Sequence, residues 1–289
     1  MQPSNIMAGL NRRAVFCFFL FIVVASSPAA AREVVFGINP WADAPEMRKM
    51  CQPLIDYITE QSGVPIRIAI PPTYEYLVDD FVAGHTKLAS VNSVTFLKIK
   101  RRLPNTRYLA TTVQGEGDER RDHYIGYIIA PKDAPYDSLD DLEGTVFGFV
   151  DVDSASGYKM PRAMLGLRGL SPDTFFKKHF FVGDHDELAL AVKNKCVDAG
   201  ATWDNSYRVN TERLGDIFKI IERTPPIPND AWIAHPSLPK RVADGIRDVL
   251  LSVSPLDVTS DGRLVLDPSL GQPAEGFTEL DPGFYEQAA

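Results

Sequence analysis

The sequence predicts an α/β protein with two lobes, each built on a mainly parallel sheet with helices on its faces. The composition, 45% hydrophobic and 24% charged over 289 residues, is that of a globular protein long enough for two lobes of moderate size. Strand-like stretches alternate with helical stretches, which is typical of parallel strands joined by right-handed crossovers. Two polar interruptions, at 115–122 and 223–230, divide this alternation into two sets.

The first lobe opens with an apolar strand at 33–38. From Glu46, apolar residues recur at helical spacing until Gly63-Val64-Pro65 ends the helix. Residues 74–84 form a second amphipathic helix, which ends at Gly84. Further strands are predicted at 66–70, 87–91 and 107–113.

The second lobe repeats the pattern after the polar turn at 115–122. Its predicted strands are 124–130, 146–150, 179–182 and 198–202, and its predicted helices are 136–144, 158–165 and 186–194. The segment 223–230 contains three prolines, so we expect it to cross between the lobes rather than to join a core.

The chain then returns to the first lobe with a strand at 231–234 and a helix at 240–253. From Pro255 it is rich in Pro, Gly and Asp, so an extended, irregular tail is expected. The predicted division is therefore 32–125 with 224–289 for the first lobe and 126–223 for the second.

Residues 1–31 have the features of a secretory signal peptide. Arg12 and Arg13 precede an unbroken apolar run, Ala14 to Ala25, and three alanines at 29–31 suit cleavage. The run is shorter than the roughly 20 residues that a spanning helix needs, although an uncleaved anchor is the alternative. We therefore expect export and a periplasmic location.

The charge balance disfavours a nucleic-acid partner. Removing the two signal arginines from the 30 basic residues leaves 28 against 38 acidic ones, a net charge of −10, whereas nucleic-acid binding needs clustered Lys and Arg. A small anionic ligand stays possible, because local geometry decides its binding. Cys51 and Cys196, the cysteines outside the signal, lie far apart in sequence and predict no disulfide framework.

A serine-rich turn, DVDSASGYKM at 151–160, follows an apolar strand and precedes a helix. The first turn of a helix has amides without internal partners and about half a positive charge, so an anion binds there readily. Ser154 or Ser156 suits the N-cap, and Gly157 permits close approach of a ligand. By itself, the turn is more typical of a serine cap that satisfies only its own helix.

Two enzymatic interpretations use the same region. Asp151 and Asp153 resemble the Asp-x-Asp turn of haloacid-dehalogenase-type phosphatases, which attacks phosphorus and holds magnesium, but serines replace the usual hydrophobic residues after it. Ser156, His185 and Asp230 would form a nucleophilic triad, but the G-x-S-x-G elbow is missing. Because both motifs are incomplete, the sequence favours binding without catalysis, with no metal and no cofactor.

Three stretches resemble a known family. They are SLDDLEGTVFGFVDVDSASGYKMPRAML, FVGDHDELALAVKNKCVDAGAT and PPIPNDAW, and they are similar to the phosphonate- and phosphite-binding periplasmic proteins, the substrate-capture subunits of ABC importers. The resemblance covers nearly the whole chain after the signal. It implies a type II periplasmic binding protein fold with the ligand cleft between the lobes.

The resemblance also implies a function. The chain is expected to capture a phosphonate, phosphite or phosphate as a monomer and to deliver it to an ABC permease by cleft closure. The alternative partner is a sensor receptor at the membrane, because a docking surface leaves no motif.

The resemblance assigns a ligand-binding set: Ser154, Ser156, the amides of Gly157 and Tyr158, His185, Tyr74 and Asp230. Two departures concern specificity. Ala155 stands where members often have threonine, which removes one hydroxyl donor. Val91 and Asn205 stand where aminoethylphosphonate binders have a tyrosine and a glutamate, and Asp204 is the candidate replacement for that acid.

Each assigned residue also has a structural interpretation. His185 is equally typical of a solvent-facing helix start, Tyr74 of a half-buried core aromatic, and Asp230 of turn chemistry after Pro-Asn. Trp41 and Trp203 either line the cleft or pack in a core. The oxyanion end of the site is therefore better supported than any organic tail.

Overall fold

The computed structural model describes residues 33–115, 120–270, 274–281 and 283–287. The signal peptide predicted at 1–31 lies outside these residues. Within the described ranges, every helix is too short or too polar to span a bilayer.

The strands of the described chain are β1 Val34–Ile38, β2 Ile66–Ala69, β3 Leu88–Val91, β4 Arg107–Gln114, β5 His123–Pro131, β6 Val146–Phe149, β7 Lys178–Phe181, β8 Ala199–Trp203, β9 Phe218–Pro228, β10 Ala231–Ala234 and β11 Ala274–Thr278. The helices are α1 Ala44–Ser62, α2 Tyr74–Val82, α3 Ser93–Arg102, α4 Met160–Gly166, α5 Pro172–Phe175, α6 His185–Lys193, α7 Asp204–Leu214, α8 Lys240–Ser252 and α9 Gly283–Gln287. A single π-helical turn, Ala155–Lys159, lies directly before α4.

The strands form two sheets, and the predicted two-lobed α/β class is confirmed. The first lobe contains the order β11-β4-β10-β3-β1-β2, and the second contains β7-β6-β8-β5-β9. Four strands of each sheet run in one direction, but both sheets are mixed: β10, β11 and β5 run against their neighbours. The reason is connectivity, because β5 and β10 each enter their sheet from the other lobe and so start at the cleft.

Helices cover both faces of each sheet. In the first lobe, α1 and α8 pack on the face that presents Phe36 and Trp232, while α2 and α3 pack on the opposite face. In the second lobe, α4 and α6 pack on opposite faces of the sheet. The carboxyl ends of β1, β3, β6 and β8 therefore face the gap between the lobes, where open α/β sheets bind ligands.

Four helices of the described chain were not predicted from the sequence: the short α5 and α9, and the longer α3 and α7. α3 carries usable signals: Asn92 caps it, Phe96 and Ile99 share its buried face, and three basic residues occupy its last turn. α7 gives no apolar periodicity, because the residues that it buries are the polar Ser206 and Asn210. Its existence depends on tertiary packing rather than on an amphipathic pattern.

Two irregular-looking segments are also part of the sheets. The proline-rich stretch expected to cross as a loop is the last part of β9, where Pro226 and Pro228 pair with β5. β9 lies at the edge of its sheet, and an edge strand tolerates residues without an amide hydrogen. The tail expected to be irregular supplies β11, which pairs with β4.

The two crossings between the lobes are bound to each other by Asn229. Its side-chain amide donates to the backbone carbonyls of Thr112 and Arg121, both at 3.0 Å. Its backbone amide donates to the carbonyl of Asp122 at 2.9 Å. The Tyr285 hydroxyl, from α9, donates to the Asn229 carbonyl at 3.0 Å. These bonds hold the two connections in register at the base of the cleft.

Candidate ligand-binding cleft

A cavity lies between the lobes where the strand ends face each other. The space open to the centre of a water molecule measures about 90 Å³. Residues of both lobes line its polar end: Asn39, Tyr74, Ser90 and Asn92 from the first lobe, and Ser154, Ser156, His185 and Trp203 from the second. Tyr124 on β5 and Asp230 between β9 and β10 complete this end.

Several helices begin at the polar end of the cavity. α2 begins at Tyr74, α6 begins at His185, α3 begins beside Asn92, and the π-helical turn begins beside Ser154. Each N-terminus contributes a partial positive charge. Among the described residues that line the cavity there is no lysine or arginine. An anion can therefore be held here by neutral donors.

The serine turn is capped in a way that changes its donor set. The Ser154 hydroxyl accepts the Gly157 amide at 3.0 Å, so the expectation that Gly157 offers a free amide is wrong. A Cβ at Gly157 would lie 2.6 Å from the Cβ of Val150, so glycine is needed for packing rather than for ligand approach. The Ser156 amide, by contrast, donates to no acceptor in the described chain. The Tyr158 amide, one of the predicted donors, likewise has no acceptor in the described chain.

Two tyrosines face the two serines. The Tyr74 side chain faces Ser154 across the cleft, and the Tyr124 side chain faces Ser156; in each pair the serine opposes the rise of the tyrosine pKa. Burial raises the pKa of both phenols, so both stay protonated. Each serine–tyrosine pair can therefore offer a proton to an anion that enters between them.

His185 is buried at the start of α6. Its amide donates to the Trp41 carbonyl of the other lobe at 3.1 Å, and its Nδ1 lies 3.0 Å from the Thr202 hydroxyl oxygen. Burial lowers the pKa of His185 to about 3, so the ring is neutral at physiological pH. When Nδ1 accepts the Thr202 proton, Nε2 carries the hydrogen and can donate it to an oxyanion.

Asp230 is the acidic residue of the cavity lining in the described chain. Burial raises the pKa of its carboxyl group to about 6, and a hydrogen bond from the Ser90 hydroxyl opposes that rise. Its backbone carbonyl accepts the Thr112 amide at 3.1 Å, which holds it at the crossing between the lobes.

We expect His185 and Asp230 to have opposite effects on the pH dependence of stability. Neutral buried His185 gives stability that is present above pH 6.5 and is lost as pH falls toward 3. Asp230 retains its proton up to about pH 6, so its contribution is lost as pH rises from 3.8 to 6. Between pH 3.8 and 6 the two effects on the free energy of unfolding cancel. In His185→Gln only the Asp230 effect is left, so the free energy of unfolding should fall by about 1.4 kcal/mol for each unit that the pH rises.

Urea unfolding at several pH values between about 4 and 6 tests this expectation. Asp230→Asn should show the opposite slope, with stability rising with pH, and His85→Gln, at an exposed histidine, is the matched control. Parallel pH profiles for the wild type, His185→Gln and Asp230→Asn would contradict it.

Five predicted site residues thus meet in one cavity: Ser154, Ser156, His185, Tyr74 and Asp230. The other four lie outside its lining. Ala155 packs in an apolar cluster with Tyr124 and Trp203. The Tyr158 ring packs on Phe149 and Phe181 with centroids 5.0 Å away, while its amide, the predicted donor, has no acceptor in the described chain. The expectation that Asp204 replaces the missing pocket acid is corrected, because its carboxylate accepts Arg121 at 2.7 Å and the Ile125 amide at 3.2 Å. Gly157 is the capped glycine described above.

The geometry opposes both enzymatic interpretations. Asp151 accepts the amide of Asp153 at 2.8 Å, and the Asp153 carboxylate is 1% exposed and bound by Lys98 at 2.5 Å, so both acids have structural partners. The triad is not assembled, since the His185 ring pairs with Thr202 rather than with Asp230.

Several cavity residues were not predicted. Asn39 and Asn92 form a buried pair, in which the side-chain oxygen Oδ1 of Asn39 accepts the backbone amide of Asn92 at 2.8 Å. Asn92 also donates from its side chain to the Asp153 carbonyl at 3.1 Å, across the cleft. Both follow apolar strands directly, and this position at a strand end was the available signal. Tyr124 had no such signal, because it reads as one more strand residue.

Aromatic rings form one wall of the cleft. Trp203 contacts Trp41 and Tyr124 edge to face, with centroids 5.9 and 5.4 Å away. Both tryptophans line the cavity, and both also pack in apolar clusters, so the two interpretations apply together. The indole N–H of Trp203 is buried without a partner in the described chain.

Residues 36–285 match the profile of a family described as the periplasmic substrate-binding protein of phosphonate ABC transporters. The chain belongs to this family. Proteins of this family serve transport, and the resemblance predicted from the sequence is confirmed.

Individual relatives are distant in sequence and close in fold. The phosphate-import protein PhnD of Mycolicibacterium smegmatis is 23% identical over 74% of this chain and 70% of its own length. The structure of PhnD1 from Prochlorococcus marinus in complex with methylphosphonate superposes with a TM-score of 0.78 at 19% identity, covering 89% of this chain and 96% of that one. A binding protein component of an ABC phosphonate transporter from Pseudomonas aeruginosa gives 0.77 at 21% identity, covering 89% and 87%.

Proposed function

We propose that this chain captures a small phosphorus oxyanion in the periplasm, without altering it, and delivers it to an ABC permease. The observation that carries this proposal is the set of helix N-termini and neutral donors around a cavity whose described lining has no lysine or arginine. Such a site suits a tetrahedral anion. The relatives' names, phosphate import and a methylphosphonate complex, span the same ligand class.

The proposed binding set is Ser154, Ser156 with its amide, His185, Tyr74, Tyr124 and Asp230. A hydrogen bond to a charged group contributes about 1.5–3 kcal/mol. Four or five of them, less the cost of ordering, are compatible with about −8 kcal/mol, which is micromolar binding. No catalytic step is needed, and the structural partners of Asp151 and Asp153 support binding alone.

We further propose that the cleft closes around the ligand between a lobe at 32–125 with 224–289 and a lobe at 126–223. The support is that Tyr74, from the first lobe, meets Ser154, from the second, so that an anion is bound from both sides only when the lobes approach. Export by the predicted signal at 1–31 would put the chain in the compartment that its family occupies.

Calorimetric titration with phosphonate, phosphite, phosphate and sulfate tests the proposal. We expect Ser156→Ala to weaken binding of the best ligand about tenfold, because one donor to a charged group is lost, and His185→Ala to weaken it several-fold. Ser138→Ala, at an exposed serine of the same lobe, is the matched control and should bind like the wild type. Unchanged affinity in both site variants, or no binding of any phosphorus anion, would refute the proposed site.

A further inference from the structure

Thr202, on β8, has a buried hydroxyl that hydrogen-bonds one group in the described chain, the ring of His185. The distance from Thr202 Oγ1 to His185 Nδ1 is 3.0 Å, and the two residues are 2% and 3% exposed. His185 lines the cavity, and Thr202 lies behind it, outside the lining. A threonine outside the cleft is therefore the polar partner of a ring inside it.

The close approach of α6 to the second sheet brings these two side chains together. Side chains alternate along β8, so Gly200 and Thr202 lie on the same face of the strand. A Cβ at Gly200 would lie 2.5 Å from Leu188 Cδ1, and one at Gly148, its partner on β6, would lie 2.6 Å from the same atom. The two glycines let α6 pack directly on the strands, and His185, its first residue, then lies against Thr202.

The direction of this hydrogen bond follows from what each group can donate. A neutral imidazole carries its hydrogen on either Nδ1 or Nε2, and the other nitrogen accepts. If Nδ1 donated to Thr202, the threonine hydroxyl hydrogen would be buried without an acceptor in the described chain, which costs free energy. If Thr202 donates to Nδ1, both groups are satisfied, and the ring hydrogen lies on Nε2.

The other groups around the ring leave this choice to Thr202. The carboxylate of Asp184, the preceding residue, is occupied, because it accepts two backbone amides of α6 at 2.9 and 2.8 Å. The Trp203 ring packs edge to face on the imidazole with centroids 6.4 Å apart, and an indole offers a donor but no acceptor. Burial alone lowers the pKa of His185, so within the described chain no carboxylate holds the ring as an imidazolium.

We infer that Thr202 is a positioning residue for ligand binding: its hydroxyl fixes the His185 ring in the Nε2–H form, so that Nε2 presents a hydrogen to the oxyanion. This inference rests on the proposed function, because it assigns how one donor of the proposed site is held ready. Threonine is β-branched and stiff at χ1, so its hydroxyl fixes the orientation of the ring as well as its proton. An anion then meets a donor that is already formed.

Nuclear magnetic resonance of the ring nitrogens tests the tautomer without any ligand. In a nitrogen–proton correlation spectrum of the imidazole, Nε2 couples to both carbon-bound ring protons, and a protonated nitrogen resonates far from an unprotonated one. For His185, we expect the nitrogen that couples to both protons to be the protonated one. The signals of His185 are identified by their absence in His185→Gln. An unprotonated Nε2 in the wild-type spectrum overturns the inference.

Thr202→Val keeps the shape of the side chain and removes the hydroxyl. The Nε2–H form should then fall to roughly a third of the protein, as the other tautomer and ring orientation become populated, so affinity for methylphosphonate, phosphite and phosphate should fall about threefold. Thr202→Ser, which retains the hydroxyl, should restore it. Thr145→Val is the matched control, at a buried threonine of the same lobe whose hydroxyl donates to the Leu142 carbonyl at 2.6 Å, and it should bind like the wild type.

A double-mutant cycle separates positioning from a structural role. If Thr202 acts through the ring, Thr202→Val should have no further effect on affinity in the His185→Ala background. A further threefold loss in that background, or wild-type affinity in Thr202→Val itself, overturns the inference. Thermal unfolding of each variant shows that it folds.

The spectrum and the titrations also distinguish this inference from the proposed function. A protonated Nδ1 in a wild-type chain that binds methylphosphonate overturns the role of Thr202 and leaves the oxyanion site in place. Failure of methylphosphonate, phosphite and phosphate to bind overturns the proposed function, and with it the role of Nε2 as a donor to the ligand, even where the spectrum shows the Nε2–H form.

Discussion

Replacing Ser154 by alanine is expected to weaken oxyanion binding about a hundredfold. The Ser154 hydroxyl has three roles: it lines the cavity, it accepts the Gly157 amide at 3.0 Å, and it faces the Tyr74 side chain across the cleft. Its loss removes a donor to a charged ligand, at about 1.5–3 kcal/mol, and also uncaps the turn, at about 1 kcal/mol. Titration calorimetry measures the affinity, and urea unfolding measures the cost of the lost cap.

Ser171→Ala separates these two contributions. Ser171 begins α5 in the same lobe, and its hydroxyl lies 3.0 Å from that of Thr174, outside the cavity lining. We expect this control to lose a comparable amount of stability and no affinity. Equal affinities for Ser154→Ala and Ser171→Ala would show that Ser154 is only a helix cap.

Replacing Lys98 by methionine is expected to reduce both stability and affinity. Lys98, on α3, reaches across the cleft to the Asp153 carboxylate at 2.5 Å, and Asp153 is 1% exposed. When Lys98 is removed, the ion-pair partner of Asp153 that is left in the described chain is Lys159, whose Nζ lies 3.6 Å from Asp153 Oδ1. Stranding a buried carboxylate costs several kcal/mol, and because the Lys98 side chain is 33% exposed we expect about 2 kcal/mol.

The same substitution should open the cleft, because Lys98 and Asp153 belong to different lobes. The Lys98–Asp153 contact exists only when the lobes are close, so its loss destabilises the closed form and not the open form. Because the ligand binds the closed form, its affinity should fall about 10-fold or more. Urea unfolding, titration and the radius of gyration in solution scattering measure the three effects.

A double variant and a neighbour control make this test specific. Lys98→Met with Asp153→Asn should recover most of the lost stability, because no charge is left buried. Lys100→Met, on the same helix, removes a lysine that contacts the Pro104 carbonyl within the first lobe, and it should leave the affinity unchanged. Additive losses in the double variant would contradict the pairing.

Much of this protein is determined by local sequence pattern. The alternation of strands and helices predicts the α/β class, and helix signals such as Gly63 and the Ser154 cap lie where the helices begin and end. Ser154, Ser156 and His185 are assigned from the sequence through its resemblance to the phosphonate-binding family, and each stands at the start of a helix that follows a strand. Such positions depend on neighbours in the chain, and their geometry is local.

The remaining features depend on contacts between residues distant in sequence. Whether an amide at the serine turn is capped or open is decided by the rotamer of one hydroxyl, and the sequence did not show that the Gly157 amide is capped while the Ser156 amide is open. The polar helix α7 and the proline-bearing edge strand β9 form because of what packs beside them. The pairing of Asp204 with Arg121 removes it from the site, although the two residues are 83 positions apart in sequence.

The chain alone thus determines the class of fold, the serine turn and the anion chemistry of its helix starts, since these follow from backbone groups and nearest neighbours. Only the tertiary structure decides which side chains share the cavity, which acids are already paired, and which hydroxyl meets the ring of His185. The physical reason is that burial and pairing are properties of packed surfaces, and these surfaces join β1, β10 and β11, which are far apart in sequence, with α1.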